Sequence, residues 1–230
     1  MNDNRPRGLF IAGTDTGVGK THVTAMIARS LVAAGRRVGV YKPVASGCMV
    51  GAGGLVSDDA AALWQAAGEP GELERVCPQR FRAPLAPPFA ARRQGDEVDA
   101  QLLRAGLQYW CERSEIVLIE GAGGLMSPVT DDEFVADLAY DFEFPLVVVA
   151  RNSLGTIHQT LTTLIAAATF RRGLDVAGVV LNQASAPLDE SCQSNAAELA
   201  ARMVPPLLAQ VGWDQTEFDP PVDWWELTRS

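Results

Sequence analysis

Short apolar runs recur along the chain, each bounded by turn residues, and they predict β-strands buried on both faces. The segments between them carry apolar residues at helical spacing, which is typical of an α/β protein built from βαβ units. The predicted strands are residues 9–12, 38–41, 116–119, 146–150 and 176–181. The predicted helices are residues 23–34 with a stop at Gly35, then 58–67, 99–111, 156–170 and 189–203. This pattern favours a mostly parallel sheet with helices on both faces.

Three stretches lack either periodicity. Residues 46–56 are rich in glycine, and residues 79–93 carry several prolines and arginines, so both are predicted to be loops over the site or the surface. The tail 213–230 holds three of the five tryptophans and is predicted to be irregular, packing on its own domain or on a partner subunit. Without repeats or linkers, residues 1–230 are expected to form one domain.

Charge and composition exclude several classes of protein. A net charge of −9 opposes binding to nucleic acid, whose backbone phosphates need a basic face. The four cysteines are scattered, so a reduced, intracellular chain fits and a structural zinc does not. The first seven residues, MNDNRPR, have no apolar signal segment, and no apolar run reaches the roughly twenty residues of a membrane span. A cytoplasmic protein is expected.

The run GTDTGVGKT, from Gly13 to Thr21, joins the first predicted strand to the first predicted helix. Its glycines let successive backbone N–H groups and the helix N-terminus face phosphate oxygens. Lys20 can reach the β- and γ-phosphates, and the Thr21 hydroxyl can bind Mg²⁺. The spacing is one residue longer than the common P-loop pattern. The run predicts a triphosphate site.

Carboxylates and a lysine stand where strand ends should bring them to this loop. Glu120 and Lys42 each directly follow a predicted strand, and Asp58 and Asp59 begin a predicted helix. Ligands of open α/β sheets bind beyond the carboxyl ends of the strands, and Mg²⁺ prefers oxygen ligands. Acidic residues also cap helices, so for the two aspartates a capping role is an equal alternative.

Together these motifs resemble the dethiobiotin synthetase family in order and spacing. The resemblance covers nearly the whole chain, and only the P-loop is shared widely. It implies an ATP-dependent ligase that closes a cyclic urea on 7,8-diaminononanoate with carbon dioxide, through a carbamate and its phosphate anhydride, and releases dethiobiotin, ADP and phosphate. Besides the P-loop, the matching motifs are Lys42-Pro43-Val44-Ala45-Ser46-Gly47, the helix start at 57–60, Glu120-Gly121-Ala122-Gly123-Gly124, Ala150-Arg151, Leu154-Gly155-Thr156-Ile157 and Leu181-Asn182.

The resemblance also implies roles for individual residues. Lys42, Lys20 and Thr16 are the implied catalytic residues, and Thr21, Asp59 and Glu120 are the implied magnesium ligands. Lys42 is also a candidate for proton removal, which requires a lowered pKa. The implied nucleotide contacts are Gly17, Val18, Gly19, Lys20, Thr21, His22, Asp59, Glu120, Gly121, Ala122, Gly123, Asn182 and Gln183, with Asn182 on the adenine edge. The implied substrate contacts are Thr16, Lys42, Ser46, Leu154, Gly155 and Thr156.

In this family the substrate carboxylate lies at a subunit interface, which implies a homodimer whose sites are shared. Three positions depart from the family pattern. Gly17 stands where some relatives carry glutamate, and His158 begins a pair that replaces asparagine–histidine, so His158 is expected to be structural. The Gly212-Trp213 segment lacks a usual proline, which leaves the adenine contacts of residues 212–214 open.

Two other functions compete with this hypothesis. A partition-type P-loop switch ATPase usually has a second lysine near the start of the loop, and residues 13–16 contain none. An amidoligase related to cobyrinate amidation needs a glutamine-hydrolysing domain, for which 230 residues leave no room. The synthetase hypothesis is therefore preferred, with the partition-type ATPase as the alternative.

Overall fold

The strands of the central sheet all run parallel. The computed structural model describes residues 7–185 and 189–228. In these ranges the sheet strands are β1 (Arg7–Gly13), β2 (Val38–Tyr41), β7 (Ile116–Gly124), β8 (Leu146–Arg151), β9 (Val176–Asn182) and β10 (Leu207–Val211). Their order across the sheet is β10-β9-β8-β1-β7-β2. The first strand thus lies in the middle, with β7 and β8 on its two sides.

Five of these strands were predicted, and their continuous burial explains why. Strand β2 has the predicted bounds, and the other four extend the predicted runs by one or more residues. Every residue of β2 is buried, as is all of β8 except its last residue, because both faces of the sheet are covered. Strand β10 was not predicted. It lies at the sheet edge with Gln210 exposed, so it lacks a continuous apolar run.

Helices cover the sheet and carry the predicted periodicity in four cases. Helix α1 (Lys20–Ala33) packs against β1, β2 and β7, and Gly35, in the left-handed region, follows its end as predicted. The predicted helix 189–203 is wrong, because it divides into a 3₁₀ turn (Glu190–Gln193) and a short helix. Helices at 73–76 and 135–142 were not predicted. The helices are α1 (Lys20–Ala33), α2 (Asp58–Ala66), α3 (Leu73–Val76), α4 (Pro87–Arg93), α5 (Ala100–Cys111), α6 (Val135–Phe142), α7 (Thr156–Thr169) and α8 (Asn195–Ala200).

The two stretches predicted as loops contain regular structure. The first holds a hairpin of β4 (Met49–Gly51) and β5 (Gly54–Val56), which pair antiparallel. In the second, β6 (Gln79–Arg80) pairs with β3 (Val44–Ala45), and α4 follows with proline in its first turn. Proline is tolerated there because the first helical N–H groups have no partner within the helix.

The tryptophan-rich tail packs on its own domain, one of the two predicted alternatives. Trp224 is buried and its ring lies 4.8 Å from that of Phe218. The guanidinium groups of Arg7 and Arg36 lie over the ring of Trp225. A 3₁₀ turn (Glu226–Thr228) is the regular element of the tail in the described ranges. Across these ranges, no helix is both long enough and apolar enough to span a bilayer.

Candidate active site

The P-loop lies between the central strand and α1. Gly17 and Gly19 have φ angles of 71° and 90°, a left-handed backbone that favours glycine. Beneath the loop, the Asn182 side-chain amide donates a hydrogen bond of 2.9 Å to the Val18 carbonyl. A Cβ atom on Gly19 would lie 2.0 Å from that amide nitrogen. The P-loop is therefore fixed by the end of β9, through Asn182.

A cleft of about 760 Å³ opens over the P-loop, at the carboxyl ends of the strands. This is where open α/β sheets bind ligands. Predicted residues supply much of its lining, namely Thr16, Gly17, Gly19, Lys20, Thr21, His22, Lys42, Ser46, Asp59, Glu120, Ala122, Gly123, Asn182 and Gln183. The structure thus brings together residues that are far apart in sequence.

Lys42 joins two carboxylates at the floor of this cleft. Its side chain is 5% exposed, and Nζ lies 2.5 Å from Oε1 of Glu120 and 2.9 Å from Oδ2 of Asp59. The Thr21 hydroxyl donates to the same Glu120 oxygen at 2.9 Å. The register of the sheet explains the first contact. Tyr41 pairs with Ile119 on neighbouring strands, so the next residue of each, Lys42 and Glu120, stand side by side.

This contact keeps Lys42 charged. Burial by itself lowers the pKa of a lysine, but the carboxylates of Glu120 and Asp59 outweigh burial and raise the pKa of Lys42. Burial would likewise raise the pKa of Asp59, but the ammonium of Lys42 outweighs it, and the pKa of Asp59 is lowered. The lowered pKa that proton removal by Lys42 requires is not found in this arrangement, since the two carboxylates favour its ammonium form. Proton removal by Lys42 stays a prediction.

The pKa of Lys20, the P-loop lysine, is shifted in the opposite direction to that of Lys42. Its Nζ donates to the Asp15 carbonyl at 3.1 Å. Burial is the main cause that lowers the pKa of Lys20 to about 8, and the nearby charge of Lys42 acts in the same direction. Lys20 therefore loses its proton far more readily than Lys42.

The arrangement around Glu120 fits a magnesium ion. Oε2 of Glu120 is buried and has no hydrogen-bond partner among the described residues. An orphaned carboxylate oxygen in the interior is costly, and the Thr21 hydroxyl and the Asp59 carboxylate lie beside it. The described ranges contain no group of three His, Cys, Asp or Glu residues at metal-binding distance. Two carboxylates and a hydroxyl suit Mg²⁺, which takes its remaining ligands from phosphates and water.

The predicted substrate turn 154–156 does not line this cleft. Leu154 is 85% exposed, while Thr156 is buried at the start of α7. The Leu154 amide donates to the Asp189 carboxylate, and Asn195 donates to the Asn152 side chain and the Ser153 carbonyl. These hydrogen bonds hold the turn in place outside the cleft lining. His158 lies on the exposed face of α7, outside the cleft lining.

Sequence reasoning missed several residues of the cleft. Ser127 accepts a hydrogen bond from the Gly124 amide, and a Cβ on Gly123 would lie 2.4 Å from its Oγ. No motif marked Ser127, because a single serine in a loop carries no spacing signal. The predicted loop 79–93 does reach the cleft. Trp213 and Asp214, from the segment 212–214 whose adenine contacts the sequence left open, also line the cleft. The other lining residues that were not predicted are Ala45, Pro84, Leu85, Ala86, Pro87 and Ala184.

Comparisons with known proteins show which family the chain resembles. A family model described as an AAA domain matches residues 7–217. An ATP-dependent dethiobiotin synthetase from Rhodopirellula baltica is 46% identical over 213 residues, which are 88% of this chain and 82% of the relative. The enzyme of the same name from Anaeromyxobacter dehalogenans is 43% identical over 90% of this chain and 91% of its own. That from Bacillus cereus is 36% identical over 92% and 85%.

A solved structure shares the fold. A ParA family ATPase from Chlorobium tepidum superimposes with a TM-score of 0.54 over 92% of this chain and 86% of its own, at 13% sequence identity. At that identity the likeness concerns the architecture alone, since one fold supports many functions. It agrees with the predicted P-loop fold.

Proposed function

The chain belongs to the dethiobiotin synthetase family and is an ATP-using ligase of biotin synthesis, and from this we propose that it converts 7,8-diaminononanoate and carbon dioxide to dethiobiotin. The observation that carries the proposal is the convergence of Lys20, Lys42, Asp59 and Glu120 on one cleft over the P-loop. A triphosphate site alone fits thousands of activities, whereas a second, buried lysine beside it fits the transfer of a phosphoryl group to an anion.

The proposed reaction has three steps. One amine of the substrate attacks carbon dioxide and loses a proton, which gives a carbamate. A carbamate oxygen then attacks the γ-phosphorus of ATP, and the bond to the β-phosphate oxygen breaks, which releases ADP. The second amine attacks the carbonyl carbon of the mixed anhydride, loses a proton and expels phosphate, which closes the cyclic urea.

The second step requires two anions to approach each other. Positive charge between them offsets their repulsion and stabilises the phosphoryl group during transfer. Lys20 and Lys42 lie in the same cleft and supply this charge in our proposal. Lys42 acts as a fixed ammonium that binds and orients, since its ion pairs raise its pKa. Thr16 and Ser46, which also line the cleft, are proposed to contact the carbamate or the diamine.

Thr21, Asp59 and Glu120 are the residues proposed to hold Mg²⁺. When bound, Mg²⁺ neutralises part of the triphosphate charge and polarises the γ-phosphoryl group. In the structure the Lys42 ammonium contacts both carboxylates. The carboxylates of Asp59 and Glu120 therefore pair with the Lys42 ammonium and are also suited to bind a metal cation.

The turn 154–156 is proposed to bind the substrate carboxylate of a neighbouring subunit. The turn leads into the positive N-terminal end of α7, with Gly155 in a left-handed backbone, and its Leu154 amide already holds one carboxylate, that of Asp189. The turn lies outside the cleft of its own chain, which agrees with a homodimer that shares its sites. The homodimer, the cytoplasmic location and the single domain of residues 1–230 stay predictions.

The proposal is tested by incubating the protein with the diamine, labelled bicarbonate and Mg-ATP. The expected product is a labelled cyclic urea formed in equal amount with ADP, and reactions without diamine should give neither. ATP hydrolysis without label in the urea would contradict the synthetase proposal while leaving the P-loop site in place. The relatives do not favour the partition-type ATPase, whose likeness to this chain is one of fold.

A further inference from the structure

Two neighbouring strand ends hold two consecutive carbonyl groups of the P-loop. Arg151 and Asn182 are the last residues of β8 and β9, and they pair with each other in the sheet. Nη2 of Arg151 donates to the Gly17 carbonyl at 2.7 Å. Nδ2 of Asn182 donates to the Val18 carbonyl at 2.9 Å. The P-loop backbone is therefore fixed at two adjacent peptide units by side chains that are distant in sequence.

These two carbonyls set the direction of the amides that follow them. A peptide unit is planar and trans, so the C=O of one residue and the N–H of the next point in opposite directions. A fixed Gly17 carbonyl thus turns the Val18 N–H away from Arg151. In the same way, a fixed Val18 carbonyl turns the Gly19 N–H away from Asn182. Gly17 and Gly19 are left-handed and Val18 is not, an alternation that brings successive N–H groups into an anion-binding concavity.

The peptide unit after Gly17 has little other support. Glycine has the greatest backbone freedom of all residues, so the direction of this unit must be set by its surroundings. Apart from its chain neighbours, the one described heavy atom within 4 Å of a Cβ built on Gly17 is Nη2 of Arg151, at 3.6 Å. At Gly19, by contrast, the buried Asn182 amide lies 2.0 Å from such a Cβ. The orientation of the first unit therefore depends on Arg151.

The surroundings of Arg151 leave its charge unpaired. It is half-buried and forms no ion pair with a carboxylate of the described residues. Its Nε is buried and has no hydrogen-bond partner in the same part of the chain. A buried donor without a partner is costly, and a guanidinium is always charged. Such an arginine contributes little to the stability of the fold, whereas its charge beside the P-loop suits a bound polyphosphate.

We propose that Arg151 is a positioning residue that turns the Val18 N–H toward the bound triphosphate. Arg151 does not line the cleft, whereas Gly17 and Gly19 do, so it acts through the backbone rather than by touching the phosphates. The inference rests on the proposed nucleotide site. It concerns how the phosphates are held, and not which substrate receives the γ-phosphoryl group.

The first test removes the guanidinium and then supplies it from solution. Dissociation constants of inorganic triphosphate and ATP are measured for the natural protein and for Arg151→Ala. Both should rise about tenfold in the variant, because the loop loses a hydrogen bond from a charged donor. Guanidinium chloride at a non-denaturing concentration should restore most of the affinity, whereas sodium chloride at the same ionic strength should not. Unchanged affinity would overturn the proposal, and so would a loss that guanidinium does not reverse.

Arg202→Ala is the matched control. Arg202 also donates to a backbone carbonyl, that of Glu198 at 2.9 Å, but it lies outside the cleft lining and pairs with the Glu198 carboxylate. Its removal should leave both dissociation constants unchanged, and guanidinium should act on this variant no differently from sodium chloride. If guanidinium raised the affinity of Arg202→Ala as much as that of Arg151→Ala, the rescue would not be specific and the proposal would fail.

The Val18 amide supplies a readout that a general loss of stability would not change. In NMR spectra of isotope-labelled protein, a hydrogen bond to phosphate should move the Val18 N–H proton downfield when inorganic triphosphate binds. At saturating triphosphate, this shift should be absent in Arg151→Ala and should return with guanidinium. An equal shift in both proteins, or none in the natural protein, would contradict the role of Arg151. Failure of the ligase proposal would instead appear as normal triphosphate binding and normal rescue without cyclic urea, so the two failures are distinguishable.

Discussion

The Lys42 ammonium lies 2.5 Å from the Glu120 carboxylate, and both side chains are almost completely removed from solvent. A buried carboxylate without a partner is costly, so this pair is strongly constrained. It also places a permanent positive charge beside the P-loop. The catalytic proposal depends on this charge, and several of its consequences can be measured.

Lys42→Gln should abolish turnover while nucleotide binding is largely kept. The variant retains a polar side chain in the same space but loses the charge that offsets the repulsion between carbamate and triphosphate. A loss of at least about a hundredfold in kcat is expected, as for other groups that stabilise charge in a transition state. Rates of cyclic urea formation and ATP dissociation constants are compared. An equal loss of both would mean that Lys42 does not act on the transferring group.

Asp59→Asn and Asp58→Asn form a matched pair. Both aspartates are exposed at the same helix start, but Asp59 contacts Lys42 and lines the cleft, whereas Asp58 is not part of the cleft lining. The gain in ATP affinity on adding Mg²⁺ should fall at least about tenfold in Asp59→Asn and stay unchanged in Asp58→Asn. The measurement is an ATP titration with and without Mg²⁺. The reverse result would transfer the proposed metal ligand to Asp58.

Nucleotide affinity should fall as the pH rises through about 8, where Lys20 loses its proton. Bound phosphates favour the charged form and raise the pKa of Lys20, so affinity is full below that value and falls above it, by up to about tenfold per pH unit. Above it, binding should also take up a proton, which calorimetry in buffers of different ionisation enthalpy detects. Lys20→Arg is the control, since its guanidinium stays charged throughout. Equal pH profiles for the two proteins would contradict this role.

Gly19→Ala should be far more harmful than Gly35→Ala. Both glycines have positive φ angles, but a Cβ on Gly19 would meet the Asn182 amide at 2.0 Å, whereas Gly35 has open space. Gly35→Ala is expected to cost about 1 kcal/mol from backbone strain alone, or about 2–4 °C in Tm. Gly19→Ala must also displace Asn182 from the Val18 carbonyl and should lose ATP binding. Tm values and ATP titrations of both variants decide the matter.

Subunit complementation tests the shared site. Leu154→Asp adds a negative charge to an exposed turn, so it should fold normally but repel the substrate carboxylate. Lys42→Gln damages the cleft of the other subunit. If a site combines a cleft with the turn 154–156 of its partner, a mixture of the two inactive variants should recover activity in mixed dimers. Recovery should be absent if both parts belong to one chain.

The strand ends of the site could be predicted because they depend on one general rule. Lys42 and Glu120 follow continuous apolar runs, and such runs in parallel sheets bring their next residues to a common edge. From the spacing of residues, the metal ligand could be assigned only to Asp58 or Asp59. Which of the two faces the site depends on the packing of the helix start, and spacing does not determine that. The charge state of Lys42 could not be predicted, because it depends on the contacts with Asp59 and Glu120, which lie in other parts of the chain.

Other elements were missed for local reasons. Helix α6 has apolar residues at Val135, Leu138 and Ala139, a helical spacing that could have revealed it. Strand β10 carries a weaker signal, since the exposed Gln210 interrupts its apolar residues. The predicted helix 189–203 is divided where the Asn195 side chain bonds to the turn before α7. That contact joins residues far apart in sequence, so the spacing of apolar residues does not predict it.

The position of β1 in the middle of the sheet has a consequence for synthesis on the ribosome. Gly13 pairs with Gly124, and the Thr14 amide donates to the Val149 carbonyl. Strand β1 and the beginning of the P-loop are translated early, but the two strands that pair with β1, β7 and β8, are complete only when β8 has been translated. Such non-local pairing must await the intervening chain. A nascent chain that stops before β7 should therefore carry the whole glycine-rich motif and still be unable to grip a nucleotide.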